Sequence, residues 1–110
     1  VIVLYVGFIY RIDMANYRNK RLLELARQLP CQVCGRSDGT VAAAHSNRQM
    51  DGKGTGIKAN DYRIAAMCAA CHFEIDNGNN LSREERQDMW ETAHRQTIGE
   101  FFERDMIGVL

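Results

Sequence analysis

Two cysteine pairs, Cys31-x-x-Cys34 and Cys68-x-x-Cys71, are the residues whose type and spacing point most directly to chemistry. Zinc favours four soft or borderline ligands in a tetrahedron, and two Cys-x-x-Cys turns supply four thiolates without strain. The 33 residues between the pairs exceed the usual ribbon spacing, so an insert sits between the two knuckles. A redox role for either pair would need a thioredoxin-like βαβ context, which the surrounding pattern lacks. The expectation is one structural Zn²⁺ on Cys31, Cys34, Cys68 and Cys71.

The second group of interest lies in and just after that insert. His45 closes a short apolar run, and His72 directly follows the last cysteine of the second pair. Asp76 lies four residues beyond His72, so the two share one face of a helix, as two ligands of one divalent cation must. A neutral imidazole such as His45 can take a proton from water, because histidine titrates near neutrality. Structural histidines after strands are common, so it is the combination that points to function.

These residues need elements to position them. Residues 15 to 29 set Tyr17, Leu22, Leu25, Ala26 and Leu29 at helical spacing, and Pro30 ends that helix at the first knuckle. Thr40 to His45 is short and apolar and reads as a strand. Asp51 to Gly56 is glycine-rich, and Tyr62 to Met67 reads as a strand or as the approach to the second knuckle. Cys71 to Asp76 reads as one or two helical turns stopped at Asn77-Gly78. Ser82 to Glu85 is a capping box opening a long helix to about Met106, with Leu81, Met89, Trp90, Ala93, Thr97, Ile98 and Phe101 on its buried side.

The segments AHSNR, GTGIKAND and ACHFEID (residues 44–48, 54–61 and 70–76), with the two Cys-x-x-Cys pairs, resemble HNH endonucleases of the ββα-metal fold. Within that superfamily they look most like small prophage-encoded nucleases of the YbcO type. The resemblance covers about Asn16 to Asn77, and the element Gly54-x-Gly56-x-Lys58-x-x-Asp61 is its most specific part. It implies an α+β fold, a small zinc-stabilised ββα-metal (HNH) core at about 31–77, flanked by an N-terminal helix and a long C-terminal helix at about 82–106. It further implies a single nuclease domain over 14–110 that hydrolyses DNA phosphodiester bonds in phage-derived recombination or processing. His45 would be the general base, with Lys58 and Asp61 catalytic beside it. His72 would hold Mg²⁺ or another divalent cation that neutralises charge on the scissile phosphate, with Asp76 as its second ligand or as the partner that orients His72. Two positions depart from the pattern. Ala44 stands where many relatives place an acidic ligand, and Arg63 stands where a middle asparagine is usual; Asp61 or Asn60 would take over that role.

Charge is zero overall but unevenly placed: residues 14 to 72 carry nine Lys/Arg against four Asp/Glu, and residues 73 to 110 the reverse. Arg48, Lys53, Lys58 and Arg63 cluster around the insert and form the expected phosphate-binding face, with glycines 52, 54 and 56 allowing close backbone approach. A composition of 45% hydrophobic and 25% charged residues argues for a folded domain rather than a disordered tail. The opening run, Val1 to Tyr10, is too short to span a bilayer, which takes about 20 residues, and lacks the flanks of a signal peptide. Residues 1 to 13 therefore read as an extension before Met14, or as an apolar strand favouring self-association. The expected setting is a reducing cytoplasm, with DNA as partner and no membrane. Two other readings keep the zinc: a DNA-binding module without catalysis, and a protein-interaction module using the apolar N-terminus and the acidic helix.

Overall fold

The chain between Asn19 and Glu103 alternates short helices and strands because its apolar residues arrive in short blocks separated by polar turns. The computed structural model describes residues 16–110, so the apolar run of residues 1–13 and its expected role in self-association lie outside the described residues. The elements are α1 (Lys20–Ala26), β1 (Ala42–His45), a 3₁₀ turn (Gln49–Asp51), β2 (Ile64–Met67), α2 (Ala69–Asn77) and α3 (Arg83–Glu103). The result is a small mixed α/β arrangement: a two-stranded sheet, a helix following it, and one helix at each end. No helix of the described residues is long and apolar enough to cross a membrane.

Helix α1 starts later than its apolar spacing predicts. Asn19 is its N-cap, accepting the Arg21 amide at 3.0 Å, while residues 16–18 leave the helix to bond the loop after β1. Asn16 Nδ2 donates to the carbonyls of Gly52 and Lys58, and the Tyr17 backbone amide donates to Asn60 Oδ1. Tyr17, expected on the helix's apolar face, is instead exposed and sits beside Tyr62. Leu25, Ala26 and Leu29 are buried as their spacing requires.

Strands β1 and β2 pair antiparallel, with Ala42 opposite Met67 and His45 opposite Ile64. All four residues of β2 are buried, because β1 covers one edge and α3 packs against the strand. Helix α3 also completes the sheet's polar groups. Thr97 Oγ1 accepts the Ala66 amide at 2.9 Å, and the indole Nε1 of Trp90 donates to the Ala44 carbonyl at 3.0 Å. His94 Nδ1 donates to the Ile64 carbonyl at 2.7 Å. Buried backbone groups left unpaired would each cost about 1–3 kcal/mol, so these three side chains fix the helix's position as well as its stability. The capping box forms as its sequence predicts: the Glu85 amide donates to Ser82 Oγ, and the Ser82 amide to Glu85 Oε1. Trp90, Ala93, Thr97 and Phe101 are the buried face, with Met89 and Ile98 partly buried against it.

Candidate metal centre and active site

The four cysteines converge. Cys31 and Cys34 sit in a turn closed by bonds from the Gly35 amide to the Cys31 carbonyl and from the Cys31 amide to the Arg36 carbonyl. Gly35 there has φ +80°, a conformation that favours glycine. Cys68 caps the start of α2 and Cys71 lies in its first turn. All four sulfurs lie within 4.8 Å of one another, and Cys34 and Cys68 are 3.7 Å apart. A tetrahedron with metal–sulfur bonds of about 2.3 Å has edges of about 3.8 Å, so the cluster fits one metal ion such as zinc. Burial raises the cost of a thiolate at Cys31, yet the amides of Cys34, Cys68 and Val33 converge on it and bring its pKa to about 6. Burial and the neighbouring sulfurs push Cys71 upward. One thiolate crowded by three further sulfurs is the arrangement that a cation would relieve.

The second group forms beside the sheet. His45 ends β1, and its Nε2 lies 2.8 Å from Asp61 Oδ1. Asp61 is buried and its carboxylate can only accept, so Nε2 carries the ring hydrogen in this contact and Nδ1 is the ring's remaining nitrogen. Burial works against the Asp61 carboxylate, but hydrogen bonds from His45 and from the Asn19 amide, with the charge of Arg18, hold its carboxyl below the ordinary range. Arg18 also donates to the carbonyls of Lys58 and Ala59, tying the segment before α1 to the loop that carries Asp61.

His72 and Asp76 meet on α2 as their spacing requires, with Nε2 3.0 Å from Oδ2. The hydrogen bond to Asp76 raises the His72 pKa against its burial, and the same bond, with Asn47, lowers that of Asp76. Asn47 donates to Asp76 Oδ1 at 2.8 Å. A 3.0 Å separation equals that between adjacent ligands of an octahedral cation at about 2.1 Å, and it equally suits an ion pair. The pair offers two donors; among the described residues the cysteines are the group of three or more His, Cys, Asp or Glu side chains placed to share an ion.

One depression of about 180 Å³ is lined by His45, Asn47, Lys53, Lys58, His72 and Asp76. The structure thus brings together five of the residues singled out in the sequence, and places Asp61 behind His45. Arg48 stands at a neighbouring cavity and approaches Glu91 at 3.6 Å. Arg63, expected on the phosphate-binding face, is turned elsewhere: its guanidinium pairs with Asp51 and Glu91 and lies over the Trp90 ring at 4.9 Å. Ala44 is buried, with its carbonyl engaged by Trp90, and offers no ligand. The glycine loop is a small hairpin, bridged between Gly54 and Ile57, rather than an open phosphate cradle. Gly52, at φ +97°, is needed because a Cβ there would lie 2.6 Å from the Asn16 amide nitrogen.

Sequence reasoning missed Asn47, Arg18 and Asn19. Arg18 and Asn19 lie more than 40 residues from Asp61 along the chain, with no local pattern linking them. Compared with protein-family models, with curated proteins and with solved structures, the chain matches none.

Proposed function

We propose that this protein is a metal-dependent, HNH-type endonuclease that hydrolyses DNA phosphodiester bonds, built around a structural zinc on Cys31, Cys34, Cys68 and Cys71. The observation that carries the reading is the shared depression: an oriented imidazole, a His–Asp pair and two lysines line one space. His45 Nδ1 takes a proton from the attacking water, with Asp61 holding the ring and balancing the imidazolium that forms. Lys53 and Lys58 attract and position the phosphodiester. His72 and Asp76 would hold a divalent cation, Mg²⁺ or Mn²⁺, which when bound would neutralise charge on the scissile phosphate and its leaving oxygen. Asn47 fixes the Asp76 carboxylate through its second oxygen.

The test is nicking of supercoiled plasmid by zinc-loaded protein in the presence of Mg²⁺ or Mn²⁺. Open-circular product that requires the cation, and that falls at least about 10²-fold in His72→Ala, is expected. A second reading, a zinc-stabilised DNA-binding module without catalysis, is favoured by Ala44, which supplies no acidic ligand, and by the commitment of Arg63 to Asp51 and Glu91. Salt-dependent DNA binding without nicking by any divalent cation would establish that reading in place of the first.

A further inference from the structure

Arg63 and Asp51 line none of the depression at His45, yet both are charged and largely buried. Arg63 Nε lies 3.0 Å from Asp51 Oδ1, and Nη2 lies 2.5 Å from Glu91 Oε2. Burying such charges costs desolvation that their attraction roughly offsets, so stability alone does not account for them.

Asp51 closes the 3₁₀ turn after β1, and it reaches in two directions. Its carboxylate reaches back: Ser46 Oγ donates to Oδ2 at 2.5 Å, and the buried Ser46 directly follows His45. Its carbonyl reaches forward: the backbone amide and Nδ2 of Asn60 both donate to it at 2.9 Å, and Asn60 directly precedes Asp61. One residue therefore grips the neighbours of both members of the His45–Asp61 contact, which lie 16 positions apart in the chain. Asp61 has further holds in Asn19 and Arg18, whereas the β1–β2 pairing ends at His45. Just past that end, Arg63 holds Ser46 twice. Its carbonyl accepts the Ser46 amide at 3.0 Å, and its guanidinium fixes the carboxylate that takes the Ser46 hydroxyl. Burial works against the Asp51 carboxylate, but Ser46 and Arg63 hold its carboxyl below the ordinary range. As a carboxylate it accepts on both oxygens, one for each partner.

We propose that Asp51 is the positioning residue of the His45 base, with Arg63 holding Asp51 in place. The inference rests on the DNA-cleaving reading above and adds a residue that touches neither the DNA nor the attacking water. Asp51 fixes the chain on either side of the contact, so that Nε2 stays on Asp61 and Nδ1 keeps one direction. A misplacement of about 1 Å in a reacting group can cost about 10²-fold in rate, so the turn matters to the chemistry. The same role accounts for Arg63, whose charge serves Asp51 rather than a phosphate.

The experiment reads the His45 ring proton in the full, zinc-loaded chain without DNA. The His45 side chain is 13% exposed, so a proton on Nε2 held by Asp61 exchanges slowly with water and shows in an imidazole ¹H–¹⁵N spectrum. His45→Ala identifies the resonance by its loss. Two variants loosen the turn. Ser46→Ala removes only the hydroxyl, and Asp51→Asn turns one acceptor oxygen into a donor, so that it cannot serve both partners. Thr97→Val is the control, because it removes a buried hydrogen bond outside the turn. In both turn variants the ring proton should exchange at least about tenfold faster at unchanged zinc content, while Thr97→Val leaves it within about twofold. Single-turnover plasmid cleavage with Mg²⁺ or Mn²⁺ should fall at least about tenfold in the same two variants, at DNA affinity within about twofold. Unchanged exchange in both, or an equal acceleration in Thr97→Val, overturns the role of Asp51 even where the parent chain cleaves DNA. If exchange responds as expected but the parent chain nicks no DNA, the nuclease reading falls and the hold of Asp51 on the ring stands.

Discussion

His45 owes its chemical direction to Asp61. A buried carboxylate that accepts from Nε2 leaves Nδ1 as the basic atom, and a fixed ring presents that atom in one direction. Asp61→Asn retains the shape but removes the charge that balances a protonated ring. It should lower cleavage by about 10²-fold or more with zinc content unchanged, measured as single-turnover nicking. An undiminished rate would mean that the His45–Asp61 contact is structural only. At this scale the sequence was informative where spacing sufficed. His72 and Asp76 are four residues apart on one helix, and their contact follows from helical geometry alone. The pairing of His45 with Asp61 and the role of Asn47 depend on how a loop folds back, and no local period encodes that. Arg63 shows the converse: a cation near the site in sequence is drawn away by Asp51 and Glu91, whose nearby charges outweigh proximity along the chain.

Among the elements, the segment Asn16 to Asn19 and helix α3 do the positioning. The segment departs from helical geometry to bind the loop that carries Lys58 and Asp61, which is why a helix predicted from residue 15 begins at Lys20. Arg18→Ala should cost about 1–3 kcal/mol in chemical denaturation, discounted toward the lower end because Arg18 is half exposed. It should also reduce cleavage, through a looser Asp61. Acid stability follows from the same contacts. Asp51 and Asp61 ionise below their ordinary pKa of about 3.9 when folded, so the unfolded chain binds more protons as the pH falls. Their stabilisation is full above about pH 4 and is lost as pH drops through the folded values. Asp61→Asn should therefore flatten the acid limb of stability against pH, read from denaturation midpoints between about pH 5 and pH 2. An unchanged slope would place the acid sensitivity elsewhere. In α3, Thr97→Val leaves the Ala66 amide unpaired and should cost about 1–3 kcal/mol. The buried face of α3 was legible because Trp90, Ala93, Thr97 and Phe101 repeat at helical spacing. That Trp90, His94 and Thr97 also close the sheet's hydrogen bonds was not, since it depends on which strand the helix crosses.

Across the whole molecule, the cysteine cluster joins the start and the end of the segment bearing the sheet and the loop. Cys34 and Cys68 are separated by 34 positions in the chain and by 3.7 Å in space. A domain of this size buries a limited core, so a metal held at that junction would contribute directly to folding. If the cluster holds zinc, Cys68→Ser, or stripping with a strong chelator, should abolish zinc binding and the cooperative thermal transition together. A chelated chain that still melts cooperatively at the same temperature would show that the cluster does not hold the fold. The cluster was fully legible in the sequence, because two Cys-x-x-Cys turns have few other uses in a chain of this pattern. The depression between β1 and α2 was legible in its members but not in its neighbour, where Arg83, Arg86 and Gln87 come from the start of a helix read only for its buried face.

The central claim is that His45 acts as a base on DNA-bound water while the zinc cluster only holds the frame. Single-turnover cleavage of plasmid with Mg²⁺ or Mn²⁺, by the parent chain and by His45→Ala with zinc content measured in both, tests it most directly. The account predicts a loss of at least about 10²-fold in rate at equal zinc content and equal DNA affinity. Cleavage by His45→Ala at the parent rate would contradict it.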